Sequence, residues 1–298
     1  MTLTKLKYFL ELAECKNITH TAAKLYMAQS NLSKQISSFE AEVGTPLFIR
    51  HTHGVELTTA GQMVYDKLKH IPSLIDNTFE HARNIDNYKN FRIGILEGFD
   101  FTRERFSALQ QAYPDYVFTF ERRSYEHLFQ RLQEGKYDAI ITMWWHKDVM
   151  KPEMNLCFQP IKPLDLGALI SAEHPLVQQD QLSHLRNVHL VSLDPQSSPA
   201  YYQMVQNVCR INHITPETFC FVEDFEDFLL NIETRMTMGI MVSNNGIRAK
   251  SEIRTIPLAG GALYQEIVCW DKSNRNPVVQ RLIEIMQIDN FANRDRDL

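Results

Sequence analysis

The chain has 298 residues, 44% of them hydrophobic and 22% charged, with a formal net charge of −5. That length suits two or three domains, and the composition is that of an ordinary globular protein. Five cysteines, at 15, 157, 209, 220 and 269, are odd in number and lack a C-x-x-C pair, which argues against a disulfide framework and a zinc ribbon. No apolar run reaches the roughly 18–20 residues of a bilayer span. The N-terminal stretch carries Glu11 and Glu14 and no small-residue cleavage site, so a cytoplasmic protein with no membrane partner is expected.

Charge is unevenly spread. Residues 1–90 hold 10 Lys and Arg against 9 Asp and Glu, while the remainder holds 21 against 27. An acidic body with a less acidic head suits a protein whose N-terminus alone meets a polyanion. Leu6, Phe9, Leu10 and Ala13 recur at helical spacing and predict a first helix. Asn17 and Thr19 offer a stop and a new N-cap, with Thr19 starting a short helix through Ala22, Ala23 and Leu25. A Met-Ala-Gln turn follows. A third helix begins near Gln29, carries Leu32, Ile36 and Phe39 as its apolar stripe, and ends at Gly44. TPLFIRHTHGVELT then reads as two short extended pieces around a turn at His53-Gly54.

After Thr58, the residues Val64, Leu68, Ile71, Ile75, Ala82 and Ile85 predict a long helix with one apolar seam. It is either a pairing helix or an amphipathic helix packed on its own domain. Pro72 predicts a kink or local break within it. From Phe91 the pattern changes to short β-rich runs: FRIGILE, VFTFE, YDAIIT, LDLGALIS, HLVSL, FCFV and YQEIVCW. Helical stretches lie between them near 103–113, 125–134, 200–212, 225–237 and 278–288. This alternation implies α/β architecture with largely parallel sheets. Cys209 and Cys220 are read as buried free thiols, with a redox pair as the alternative.

The two short helices around the Met-Ala-Gln turn read as a helix-turn-helix. Ala23 is small where they would cross closely, and Leu25, Leu32 and Ile36 would hold the pair on the first helix. Gln29, Ser30, Asn31, Ser33 and Lys34 fall on the first turn and a half of the second, the part such a motif inserts into the major groove. Amides and hydroxyls there can donate to and accept from base edges, and Lys34 can reach a base or a phosphate. The extended pieces would form a wing, with Arg50, His51 and His53 near the backbone phosphates. The alternative is a ligand-binding protein whose head pairs with protein, which predicts a more apolar face at 29–34. There is no G-x-S-x-G, P-loop or H-E-x-x-H, and the eleven histidines are dispersed. No catalytic residue, metal site or cofactor is expected, and the chain is not read as an enzyme.

The run from Asn17 to Gly61 resembles the winged helix-turn-helix of LysR-type transcriptional regulators. AAKL, the LS-K-QI block at 32–36, the E-x-x-x-G-x-PLF-x-R series at 40–50 and LT-x-AG at 57–61 carry the resemblance. The linker helix, the strand RIGI, EG-x-x-D at 134–138 and the later strand–helix order extend it. It implies a fold mixing α+β and α/β: a winged helix-turn-helix at 1–60, a linker dimerisation helix at 61–90, and an effector-binding domain at 91–298. That last domain would resemble periplasmic binding proteins, with two α/β subdomains around a cleft. The implied partners are double-stranded DNA, a small-molecule effector of unknown identity, and further copies of the chain in a homodimer or homotetramer. An effector acts only by binding one arrangement better than another.

By position, the implied effector residues are Gly98, Phe99, Ser124 and Tyr125, with Ser197, Ser198, Tyr201, Asp224 and Phe225 from the second subdomain. Helix N-termini and hydroxyls favour an anion, strengthened by Arg122 or Arg123 if one points inward. Glu97, Glu223 and Asp224 would instead select a cation or polar amine. Trp144 and Trp145 are expected to pack at the hinge where the chain crosses between subdomains. Some positions depart from the family pattern. Ala28 stands where Ser or Thr is common, losing an N-cap worth about 1 kcal/mol unless Ser30 or a neighbour compensates. Ser30 stands where Pro is common, Thr237-Met238-Gly239 has one glycine where the family has two, and Asn244 replaces a usual Pro.

Overall fold

The computed structural model describes residues 2–51, 54–84, 89–99, 101–145, 155–175, 186–234, 237–242 and 252–288. His53 and Asn244 lie outside the described residues. The chain divides into two compact units, Met1–Arg83 and Asn84–Leu298.

In the first unit, α1 (Leu3–Cys15) buries Leu6, Phe9, Leu10 and Ala13, as the spacing predicts, and stops at Lys16 in a left-handed conformation. α2 (Ile18–Lys24) is capped by Asn17, whose side chain accepts from the His20 N–H, so Thr19 lies inside the helix and does not start it. That earlier start turns Thr21 and Ala22 into the core and leaves Ala23 exposed. The small residue buried in this core is therefore Ala22, one residue before the expected position. α3 (Gln29–Val43) buries Leu32, Ile36 and Phe39 and ends at left-handed Gly44. Phe9 meets Phe39 and Phe48 at ring distances of 5.3 and 5.4 Å. The Glu40 carboxylate accepts from the Leu47 and Phe48 N–H groups at 2.8 and 3.0 Å, and so fixes the turn after α3 that leads into the wing.

The wing is β1 (Phe48–His51) paired antiparallel with β2 (Gly54–Leu57), with His51 opposite Gly54. Thr58 caps α4 (Thr59–Leu68) by accepting from the Gly61 N–H at 2.9 Å. α5 (Ile71–Asn84) follows. The break falls at Lys69–His70, just ahead of Pro72. Pro72 thereby occupies the first turn of α5, where a missing N–H leaves no hydrogen bond unmade.

The second unit holds two five-stranded sheets. The first lobe has the order β4 (Tyr116–Arg123), β3 (Lys89–Leu96), β5 (Ala139–Trp145), β12 (Tyr264–Asp271), β6 (Leu156–Pro163). The second has β11 (Ile253–Leu258), β7 (Leu166–Ser171), β10 (Met238–Val242), β8 (Arg186–Leu193), β9 (Thr215–Val222). The connecting helices are α6 (Arg103–Ala112), α7 (Tyr125–Gln133), α8 (Pro199–Ile211), α9 (Phe225–Thr234) and α10 (Pro277–Gln287).

The sheets are mixed, correcting the expectation of largely parallel ones. β12 runs against both β5 and β6, and β7 against both β10 and β11, while the remaining pairs are parallel. The cause is topological. β7 enters its sheet from the first lobe and β12 returns from the second, so each guest strand arrives from the opposite end and opposes two neighbours.

The two crossings, at Leu164–Asp165 and Ala259–Leu263, touch: the Leu164 N–H donates to the Tyr264 carbonyl at 3.0 Å. A Cβ on Gly261 would lie 2.3 Å from the Leu164 oxygen, so only glycine fits there. The chain therefore does not cross after Trp144 and Trp145, although both lie beside the returning strand, opposite Gln265 and Tyr264 of β12. Trp144 lies within β5 and packs edge-on against Phe158 of the same lobe at 4.3 Å; Trp145 also lies in that strand. Three strands escape the sequence reading, β6, β10 and β11; β6 and β11 contain prolines, which argue against a central strand.

Candidate functional site

On α3, Gln29, Ser30, Asn31 and Lys34 are exposed and Ser33 is half-buried, above the buried Leu32 and Ile36. No side chain caps this helix, because Ala28 at the cap position has none to offer and neither Ser30 nor another neighbour replaces it. Tyr26, in the turn before it, is 97% exposed and adopts φ +53°, an uncommon conformation for a bulky residue. Sequence reasoning did not single it out. Arg50 reaches from β1 back over α3, its guanidinium donating to Ser33 Oγ and Ser37 Oγ, each at 3.3 Å. The helix face and the wing arginine thus form one continuous polar surface. His51 Nε2 lies 3.6 Å from Glu56 Oε2 on the opposite wing strand.

The second site lies between the lobes of the second unit. From the first lobe, Glu97, Gly98 and Phe99 follow β3, Ser124, Tyr125 and Glu126 open α7, and Met143 lies in the second half of β5. Ser198, Tyr201 and Met204 come from the start of α8, Phe225 from α9, and Met241 and Val242 from β10. The structure therefore brings together Gly98, Phe99, Ser124, Tyr125, Ser198, Tyr201 and Phe225 of the expected residues. It leaves out two. The Ser197 hydroxyl donates to the Asp194 carbonyl at 3.2 Å, and Asp224 Oδ1 accepts from the Asp227 N–H at 2.8 Å. Both are spent on turns and caps at the exposed ends of helices. Neither Arg122 nor Arg123 lines the cleft: Arg123 pairs with Glu121 at 3.1 Å, and Arg122 faces a separate groove with Phe101 and Phe106.

The cavity has about 40 Å³ of free space, room for a few water molecules; an apolar cavity that takes a benzene ring is about 150 Å³. Its walls are mainly apolar. Gly98 has φ +80°, and a Cβ there would lie 2.9 Å from Met241 Cε and 3.2 Å from Phe225 Cζ, so the lobes meet at this residue. Glu126 bridges them: its Oε1 accepts from the Ala200 N–H of α8 at 3.0 Å. Its Oε2 is buried and has no partner among the described residues. Burial holds the Glu97 carboxyl above its ordinary pKa, with Asp224 and then Glu226 adding to the rise while Arg123 and His127 oppose it. Burial also raises the hydroxyls of Tyr201 and Tyr125, and Tyr201 donates to the Ile240 carbonyl at 2.7 Å. Sequence reasoning missed Glu126 and the three methionines. Apolar residues at strand ends carry no local signal, and Glu126 looks like an ordinary first-turn acid.

All five cysteines are free, and burial pushes the Cys209 thiol up to about 11, so it stays protonated at neutral pH. Among the described residues no three His, Cys, Asp or Glu side chains group to hold a metal, and no helix is long and apolar enough to cross a membrane.

Residues 3–62 match the model of the bacterial regulatory helix-turn-helix protein, lysR family, and residues 89–288 match the LysR substrate binding domain. The chain is 27% identical over 294 residues to the HTH-type transcriptional regulator BudR of Raoultella terrigena, covering 96% of this chain and 100% of that one. It is 25% identical over 308 residues to the Hca operon transcriptional activator HcaR of Escherichia coli K12, covering 96% and 97%. Full-length CbnR, solved in complex with its target DNA, superposes with a TM-score of 0.60 at 19% identity, covering 96% of this chain and 99% of that one, and shares the fold. These matches, and the exposed polar face at 29–34, disfavour a head that pairs with protein. The chain belongs to the LysR family: it is a DNA-binding transcriptional regulator with a ligand-sensing C-terminal domain, and not an enzyme.

Proposed function

We propose that Gln29, Ser30, Asn31, Ser33 and Lys34 read an operator in the major groove, while Arg50, His51 and His53 hold the flanking phosphates. The carrying observation is the continuous polar surface that Arg50 makes with Ser33 and Ser37. Bases are distinguished by amide and hydroxyl contacts, and affinity comes from cations on phosphates. The inter-lobe cleft is the effector site, with Gly98, Phe99, Ser124, Tyr125, Ser198, Tyr201 and Phe225 around the ligand. Ser197 and Asp224 serve as turn and cap residues outside the lining. The regulator works in the cytoplasm as a homodimer or homotetramer. Support for assembly comes from α5, where Leu74 and Phe79 are exposed apolar side chains beside half-buried Ile75.

Footprinting on DNA upstream of the protein's own gene, with a salt titration, tests this reading. The expected result is a salt-sensitive site with two half-sites spaced by helical turns. Gln29→Ala relaxes discrimination by about 1–3 kcal/mol at one base pair, whereas Arg50→Ala weakens binding to all sequences and flattens the salt slope by about one. Operator discrimination left intact by Gln29→Ala removes that residue from the readout.

A further inference from the structure

We infer that the cleft takes a small hydrophobic cation, a primary or secondary ammonium on an apolar or aromatic body, with Glu97 and Glu126 as its counter-charges. This rests on reading the cleft as the effector site and names the chemistry of its ligand.

Two features that would favour an anion, the start of α8 and the Ser124 hydroxyl, are already engaged from within. Helix α8 has no acid in its own first turn, and its Ala200 N–H is satisfied by Glu126 from the other lobe. Ser124 Oγ lies 2.9 Å from His127 Nδ1. A carboxylate ligand would have to displace Glu126 from the α8 N-terminus and then face two like charges in a poorly hydrated site, an arrangement that rejects it. The charged residues among the described cleft lining are Glu97 and Glu126, both acidic. The Glu97 carboxylate accepts no hydrogen bond among the described residues, and Glu126 Oε2 is buried without a partner. Among the described residues neither has the hydrogen-bond donor that an ammonium supplies, although the charges of Arg123 and His127 act on Glu97.

The remaining walls suit such a ligand's body. Phe99, Tyr125 and Phe225 offer ring faces, which attract cations. Met143, Met204 and Met241 offer thioethers that adapt to varied shapes. The free space of about 40 Å³ is too small for a ring, so the lobes must part around it. Parting breaks the Glu126–Ala200 bond, and the ammonium replaces the donor that Glu126 loses. The ligand thus binds the parted arrangement better than the closed one, the condition for shifting the equilibrium.

The test uses the full chain and ligand-observed NMR. One set of probes is benzylamine, benzyl alcohol and benzoate, which vary charge at nearly constant shape. The other is a pool of small metabolites balanced among amines, neutral compounds and acids. Met204→Trp fills the cleft, and Val242→Phe serves as a second filled variant if the first does not fold. The expected binders are amines that both lose binding in the filled variant and weaken about tenfold or more in Glu97→Gln or Glu126→Gln, with benzylamine ranking above benzyl alcohol and benzoate last. Carboxylates that bind the open cleft and are lost in the filled variant overturn the charge preference, as do amines indifferent to both glutamine substitutions. Binders untouched by filling, or no binders at all, overturn instead the cleft as the effector site.

Discussion

On α3, Gln29, Ser30, Asn31 and Lys34 stand in water above a floor of Leu32, Ile36 and Phe39, whereas the cleft of the second unit turns Glu97 and Glu126 inward among methionine and aromatic side chains. The first surface meets a long hydrated polyanion, so its groups stay solvated until contact and act in number. The second encloses a small molecule, so a few desolvated charges decide its chemistry. Exposure makes α3 tolerant of change above its floor, and burial makes the cleft intolerant.

That contrast can be broken at its foundations. Phe39→Ala removes a fully buried ring from the first unit and should cost about 3–5 kcal/mol there. Calorimetry of the full chain should show the transition of residues 1–83 falling while that of 84–298 holds; equal falls would mean the units do not melt separately. In the other unit, a Cβ at Gly239 would lie 2.4 Å from Phe228 Cζ, and Phe228 is fully buried. Gly239→Ala should cost about 1–3 kcal/mol in the second transition alone. Ala28→Ser offers α3 the cap it lacks and should add about 1 kcal/mol to the first unit; an unmoved midpoint would show that water already serves those N–H groups.

The smallest effect concerns acid in the cleft. Because the folded state holds the Glu97 carboxyl above its ordinary pKa of about 4.3, it binds a proton longer than the unfolded chain does. Stability is therefore lost as pH rises from the unfolded value through the folded one. Glu97→Gln should flatten that decline in urea midpoints taken from pH 4 to 7. An identical slope in wild type and variant would sink this account of Glu97.

Much of the first unit was legible because its signals are local. Thr58, Gly44 and the start of α3 at Gln29 follow from cap chemistry and helical spacing. The errors there were small shifts, Asn17 for Thr19 by two residues and Ala22 for Ala23 by one, where nearby residues compete for the same role. The second unit was legible in its elements and less so in its site. Ser197 and Asp224 look like ligand residues because helix N-termini attract the same side chains for capping as for binding. The reversed direction of β7 and β12 depends on which strand crosses between lobes, and no window of sequence carries that. Met143, Met204 and Met241 become neighbours only once three distant elements fold together.

At Gly98 the two lobes approach so closely that a single added carbon would strike Met241 and Phe225. Any glycine codon is one base change from alanine, valine or an acid. A population selected for regulation that no longer waits for its effector should therefore gather valine or acidic substitutions at codon 98, whose bulk reaches past the movable end of Met241 and holds the lobes apart as a bound ligand would. The same clones should keep their operator footprint, because α3 and the wing lie in the other unit.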